Sequence, residues 1–452
     1  MDHQHKSSSN SQRFATRLGV IAATVGSAVG LGNIWRFPYE AGQHGGGAFM
    51  LVYLVFILLM GVPVICAEFI IGRHTHRNVY GAFRSLSNRR VWNLVSVVGI
   101  LASLMILGFY SVVAGWTMEY IFSSISDFGH IQNASELHDR FDAFASSGFR
   151  PVMWTVLFLL INFVILRRGV KKGIEKMSNL MMPMLFLILL AFCINSVMMP
   201  GAKEGLTFLF KPDFSQIDGK VLLGAMGQAF FSLSLGLGCM ITYSSYFRDE
   251  TPLLKSATIT AGLDTLTAIL AGVMIFPAVF TFGQTPEAGP KLVFEVLPTI
   301  FMSLPGGAIW SLLFFVLLFL ASITSTISMS EISIAYFSQE KGMKRTSATM
   351  LTTAISLMLG VLSALSFGPI ADFKIFGKTI FDLLDFGSSN ILLPLGGILI
   401  SLFVGWVMKR SIVDRQLEAG GHVPAFIVNA IIFCLRFIAP TAIAIILVAG
   451  LI

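Results

Sequence analysis

The chain has 452 residues, of which 55% are hydrophobic and only 12% charged, with a mean hydropathy of +0.79; a soluble domain carries about twice that charged fraction. Lipid is therefore the expected solvent for most of the surface. The net charge of +7 argues little for nucleic acid, because the basic residues fall in alternate loops, as membrane orientation requires.

The chain opens on a polar stretch, MDHQHKSSSNSQR, and the apolar run after it is too long for a cleavable leader, so no signal peptide is expected. Hydropathy then gives eleven candidate spans, at 15–40, 46–72, 92–121, 151–167, 177–199, 221–247, 257–282, 307–338, 347–367, 380–408 and 425–451. Each approaches or exceeds the roughly 20 residues that a hydrocarbon core of about 30 Å requires. The runs are continuous rather than alternating in ten-residue segments, which indicates helices and not barrel strands. With the N-terminus inside, the inner loops hold 21 Lys and Arg and the outer loops 8, leaving out Arg36 and Arg436, which lie within spans. A cytoplasmic N-terminus follows, and an odd span count places the C-terminus outside. Three outer loops are long, 122–150, 200–220 and 283–306; the last has apolar residues at helical spacing and predicts a short amphipathic helix. Asn133-Ala134-Ser135 matches a glycosylation acceptor and is read as a chance match. Cys66, Cys193, Cys239 and Cys434 lie in apolar stretches without metal-ligand spacing and read as buried small hydrophobes.

Two spans are interrupted at their midpoints, the first by GSAVGLGNIW (26–35) and the sixth by SLSLGLGCM (232–240). They are five spans apart, and an odd offset inverts one half relative to the other. Paired Gly-interrupted segments in two halves point to a transporter's midplane site. Unwinding frees carbonyls, which suit a cation, and N–H groups at a half-helix start, which suit an anion. A zwitterionic amino acid with sodium uses both. The simpler reading of Gly26-x-x-x-Gly30 is a helix-packing motif; Asn33 and Arg36, polar within a span, weigh against it. The glycines lack the preceding strand and the third glycine of a nucleotide site.

RLGVIAATVGSAVGLGNIWRFPYEAGQHGGGAF (17–49), GQAFFSLSLGLG (227–238), ASITST (321–326) and DLLDF (382–386) resemble the neurotransmitter:sodium symporters, and the resemblance runs from about residue 12 to 450. It implies an all-α polytopic membrane protein in the cell membrane, with an inverted five-helix (5+5) repeat and unwound helices one and six. The corresponding segments are a cytoplasmic tail (1–13), a first repeat (14–199), an extracellular loop (200–220), a second repeat (221–408), and a cytoplasmic loop with helix eleven (409–452). Most members have a twelfth helix, outside the repeats.

The same resemblance implies two sodium sites. One takes the carbonyls of Gly26, Val29 and Ala321 and the hydroxyls of Thr324 and Ser325, five neutral oxygens that fit a monovalent cation better than calcium. The other takes the Ala28 carbonyl with the side chains of Asn33, Ser232 and Asp264. Tyr53, Gln228 and Ser232 match the chloride site of animal members, but Asp264 and Ala268 replace its Asn and one Ser. A fixed carboxylate beside the ion implies transport without chloride. The substrate pocket by resemblance is Ala28, Gly30, Leu31, Gly32, Ile106, Tyr110, Phe231, Ser232, Ser234, Leu237, Ser325, Thr326 and Met329. Monoamine carriers keep an Asp where this chain has Gly30, so a hydrophobic L-amino acid, aliphatic or aromatic, is the implied substrate.

Arg36 and Asp385 match the outer gate, with Glu40 a second partner for Arg36. The inner gate positions fall on Ser11 and Gln339, and Arg13 with Glu340 are their neighbours. Gly173 and Pro183 carry the spacing at which some members unwind the inner end of helix five, although a simple kink fits as well. An enzyme is not indicated: His74 and His76 read as solvated, and no nucleophile, base and acid come together. A passive channel remains open on the residues alone, as does proton coupling through Glu68, Asp264 or Glu331.

Overall fold

Long apolar stretches must close every backbone hydrogen bond within themselves to cross a bilayer, and the architecture follows from where two of them fail to. The computed structural model describes residues 13–126, 134–283 and 292–451, which are almost wholly helical and contain no extended strand. Nine unbroken helices there are long and apolar enough to span: α2 (Gly47–Thr75), α3 (Arg90–Ser126), α4 (Phe149–Leu166), α5 (Val170–Val197), α7 (Leu253–Thr281), α8 (Gly307–Gln339), α9 (Arg345–Leu365), α10 (Ile380–Val407) and α11 (Ala425–Ala449). A tenth candidate is the broken α1, whose halves Arg17–Ala28 and Gly32–Gln43 bend by 55°; the expected sixth span falls on two shorter helices, here α6, Gly219–Ser232 and Cys239–Ser244, neither long enough to span alone, so nine or ten of the eleven expected spans are met among the described residues.

The breaks have local causes. The first half of α1 starts at Thr16, whose hydroxyl caps the Gly19 N–H at 2.9 Å. It stops at Ala28 because Val29 turns extended. The first half of α6 is capped by Asp218, which accepts from the N–H groups of Lys220 and Val221. It ends in a stretch where Ser234, Gly236 and Gly238 take positive φ. Only glycine fits at 236, where φ is +87° and a Cβ would stand 2.4 Å from the Leu393 carbonyl. Glu68 of α2, fully buried, accepts from the Gly236 N–H at 3.0 Å and the Ile241 N–H at 3.4 Å. This acid, one of three considered for proton coupling, is occupied in closing the broken backbone.

α1 lies against α5, α7 and α8, and both halves of α6 lie against α2; α3, α4, α8 and α9 pack together beside them. Large apolar side chains such as Leu58, Leu187 and Ile194 are exposed on the outside of the bundle, where lipid is their solvent. The long loops 122–150 and 200–220 carry helices at Ala134–Ser146 and Ala202–Phe210, and 283–306 carries the expected one, a wide turn Leu292–Val296 continuing into Leu297–Met302. Asn133 and Ser11 lie outside the described residues. The four cysteines are free and buried.

The opposite end is closed by polar contacts. Phe14 packs on Tyr243, Tyr246 and Phe247, with ring centroids 5.9–6.3 Å away. Glu175 receives the N–H groups of Ala15 and Thr16 and the Thr16 hydroxyl at 2.8–3.1 Å. Buried Glu331 of α8 takes both terminal nitrogens of Arg345 at 2.9 and 2.7 Å and the Tyr246 hydroxyl at 2.8 Å. Several expectations change here. Gln339 and Glu340 both accept from Asn78, and no ion pair between Glu340 and Arg13 occurs among the described residues. α5 is helical through Gly173 and Pro183, beginning with a wide turn at Val170–Glu175, so its inner end is wound. His76 is not free in solvent: it contacts Asp249 at 2.9 Å and the Ser245 carbonyl at 3.1 Å.

Removing one partner of a buried bidentate pair strands the other charge, at a cost of about 3–5 kcal/mol. Arg345→Ala is therefore expected to lower the thermal midpoint in detergent sharply. The double variant Glu331→Gln/Arg345→Met should lose less than Arg345→Ala alone, because it leaves no stranded charge.

Candidate functional site

The two breaks face one cavity of about 500 Å³, including its open mouth. Its lining contains Ala28, Gly30, Leu31, Gly32 and Asn33 from α1, Ile106 and Tyr110 from α3, Phe231, Ser232, Ser234 and Leu237 from α6, and Ser325 and Met329 from α8. Of the residues expected in the substrate pocket, Thr326 alone lies elsewhere. Its hydroxyl donates to Asn162 of α4 at 2.9 Å and turns back on its own helix, because it projects from a different side of α8 than its neighbour Ser325. Phe109, Ser389 and Leu393 also line the cavity and were missed. Phe109 lies three residues after Ile106, one helical turn on. Ser389 is likewise four residues after Asp385, so helical spacing was the available signal.

Backbone polarity converges on the cavity floor. The Leu31 N–H donates to the Tyr110 hydroxyl at 3.2 Å and the Gly30 N–H to Asn33 Oδ1 at 3.0 Å. Gly30 leaves the space open: a Cβ there would lie 2.8 Å from Ser325 Oγ and 3.2 Å from the Tyr110 oxygen. A Cβ on Gly32 would meet the Phe231 ring at 3.0 Å.

Beside the floor, Asn33, Ser232 and Asp264 form a closed polar knot, with Asp264 fully buried. The Asn33 amide donates to Asp264 Oδ1 at 2.7 Å and to Ser232 Oγ at 2.9 Å, and the Ser232 hydroxyl donates to Asp264 Oδ2 at 2.6 Å. The Gln228 amide donates to the Gly32 carbonyl at 3.1 Å. Gln228 Oε1 and the hydroxyls of Tyr53 and Thr265 are buried nearby without a hydrogen-bond partner among the described residues. A carboxylate, an amide oxygen and hydroxyls so placed offer oxygen ligands to a cation. Ala268 is buried on the same helix as Asp264.

The second oxygen cluster joins α1 to α8. The Ser325 hydroxyl donates to the Val29 carbonyl at 3.1 Å, and Thr324 donates to the Ala321 carbonyl at 3.0 Å. A Cβ on Gly26 would lie 3.2 Å from Thr324 Cβ, so Gly26, Val29, Ala321, Thr324 and Ser325 meet at one place. These oxygens are all neutral. No group of three or more His, Cys, Asp or Glu placed to hold a metal occurs among the described residues.

Above the cavity the Arg36 guanidinium covers the Phe231 ring, 4.2 Å from its centroid. Its carboxylate partner is Glu40 at 3.5 Å, one turn along the same helix, and not Asp385 as expected. Asp385 instead accepts from Ser389 at 2.9 Å; the local partner on each helix wins over the longer reach between helices.

The profile of the Sodium:neurotransmitter symporter family matches residues 11–144 and 130–452. A sodium-dependent transporter of Bacillus subtilis is 38% identical over 96% of both chains. The sodium-dependent dopamine transporter of Bos taurus is 26% identical over 78% of this chain and 57% of its own. The crystal structure of MhsT in complex with L-phenylalanine superposes with a TM-score of 0.89 at 44% identity, covering 97% of this chain and 99% of that one.

A side chain at position 30 must displace Ser325 and Tyr110, an overpacking that costs about 1–3 kcal/mol. Gly30→Ala is expected to weaken binding of the transported ligand by roughly five- to hundredfold, measured by equilibrium binding on purified protein, and to lower the thermal midpoint modestly. Thr326→Ala should leave ligand binding within about twofold, since lost local hydrogen bonds there touch no cavity atom.

Proposed function

The chain belongs to the sodium:neurotransmitter symporter family, and we propose that it carries hydrophobic L-amino acids, aliphatic or aromatic, with sodium and without chloride. It is a sodium-dependent symporter and a multi-pass membrane protein; the substrate, the ion sites and the chloride independence are our reading. One observation carries it: at the two helix breaks, neutral oxygens, backbone donors and an apolar wall converge on one cavity.

Each part of an amino acid finds its chemistry there. The carboxylate takes the N–H groups at Leu31 and Gly32 and the Tyr110 hydroxyl, at the start of a half-helix whose dipole favours an anion. The ammonium takes carbonyls around Ala28, Phe231 and Ser232. The side chain lies against Ile106, Phe109, Leu237, Met329 and Leu393, where one methylene is worth only about 1–3 kcal/mol, so specificity is broad. The phenylalanine held by the similar MhsT is the same chemical class.

One sodium is held by Ala28, Asn33, Ser232 and Asp264, the other by Gly26, Val29, Ala321, Thr324 and Ser325. Binding the first next to the substrate carboxylate makes each favour the other, which is the physical basis of coupling. Asp264 supplies the fixed negative charge that chloride would otherwise bring, and at such short range a carboxylate and an anion repel. With the N-terminus cytoplasmic, each sodium entering adds about 2.3 kcal/mol per 100 mV of membrane potential. The halves 14–199 and 221–408 then exchange outward and inward access around the fixed site.

In proteoliposomes, an inward sodium gradient is expected to drive accumulation of labelled L-phenylalanine and L-leucine. Potassium in place of sodium should abolish it, and gluconate in place of chloride should leave it unchanged. Accumulation driven equally well by a proton gradient alone would overturn the sodium sites. Asp264→Asn is expected to make uptake depend on chloride or to abolish it; chloride-independent uptake at the original rate would remove Asp264 from its role.

A further inference from the structure

Arg436 stands in α11, inside a helix that is otherwise apolar from Ala425 to Ala449 apart from Asn429 and Thr441. A charge there is costly unless something meets it. Both neighbouring helices open into a wide turn at this level, α10 at Phe403–Val407 and α11 at Cys434–Ile438, and such turns are frequent at functional sites. The Arg436 Nε–H donates to the Gly405 carbonyl at 2.6 Å. Trp406 completes the clamp: its indole N–H donates to the Arg436 carbonyl at 3.3 Å, and its ring lies 5.3 Å from the guanidinium carbon. A Cβ on Gly405 would come within 3.1 Å of Arg436 Cγ, so the close approach depends on that glycine.

The guanidinium is thus fixed through Nε, while its two terminal nitrogens make no hydrogen bond or ion pair among the described residues. It is exposed on the outside of the bundle, beside exposed Trp406, Phe433 and Phe437. Trp406 and Phe437 meet edge to face at 5.5 Å. Trp406 is the last residue but one of α10, and the exposed cations Lys409 and Arg410 follow it. Tryptophan beside cations is the composition of a membrane–water interface.

We propose that Arg436 and Trp406 form a binding site for the phosphate of an anionic phospholipid. A fixed guanidinium offers two parallel N–H donors, the geometry that a phosphate accepts. Phe433 and Phe437 give the adjoining glycerol and acyl segment an apolar bed. An arginine extending to bulk water would not be tied by Nε to a carbonyl of the next helix. Basic pockets between membrane helices recognise headgroups by the same chemistry.

The full chain, purified in detergent and delipidated, is titrated with phosphatidylglycerol or phosphatidylcholine and bound lipid is counted by native mass spectrometry. Wild type is expected to prefer phosphatidylglycerol by at least about fivefold, and Arg436→Gln to lose about that factor. Arg436→Lys keeps the charge without the fork and is expected to bind more weakly than wild type. Trp406→Leu, which leaves the arginine in place, should bind more weakly as well. Inorganic phosphate at the same concentration should not raise the thermal midpoint, whereas phosphatidylglycerol should. Equal affinity for the two lipids, or wild-type affinity in Arg436→Gln or in Arg436→Lys, would overturn the proposal.

Discussion

A backbone N–H or C=O left unpaired in a bilayer costs several kcal/mol, and this protein leaves several so placed at the middle of two helices. Everything around the breaks answers that constraint. Glu68 accepts from the backbone of α6. Asn33 accepts from Gly30, Tyr110 from Leu31, and Ser325 donates to Val29. The partners come from α2, α3 and α8, so the breaks hold three other helices in register. Asn33, Tyr110 and Ser325 also line the cavity, whereas Glu68 supports the α6 break from behind it.

The constraint also sorts three fully buried acids, Glu68, Asp264 and Glu331. They lie at positions where an isolated charge would be expensive, yet each is met differently. Glu68 meets backbone donors, Glu331 meets Arg345 and Tyr246, and Asp264 meets the neutral donors of Asn33 and Ser232. Only Asp264 lacks both a cationic partner and a backbone one. Its carboxyl group is met by neutral side-chain groups alone.

The two ends of the pathway differ in the same terms. On the Phe14 side, aromatic packing, the Glu175 contacts and the Arg345–Glu331–Tyr246 set close the bundle. On the other side, Arg36 lies over Phe231 and pairs along its own helix with Glu40, while Asp385 keeps to Ser389. Among the described residues no ion pair bridges α1 and α10 above the cavity.

The sequence by itself determined most of the spans and the two interrupted helices, through local rules: the length of apolar runs and their punctuation by glycine. Most of the cavity lining was legible only through the family resemblance of those segments, not through spacing along the chain. Gly26, Gly30 and Asn33 were legible because polar or flexible residues in the middle of an apolar run are conspicuous. Tertiary structure alone decided which partner each polar group takes. Thr326 and Ser325 are adjacent and chemically alike, yet one faces α4 and the other the cavity; Arg36 had two acids within reach in the sequence and took the nearer. The lock at Glu331 and the clamp at Arg436 likewise join residues 14 and 31 positions apart. A hydrogen bond depends on ångström-scale placement of whole helices, and no spacing along one chain encodes that.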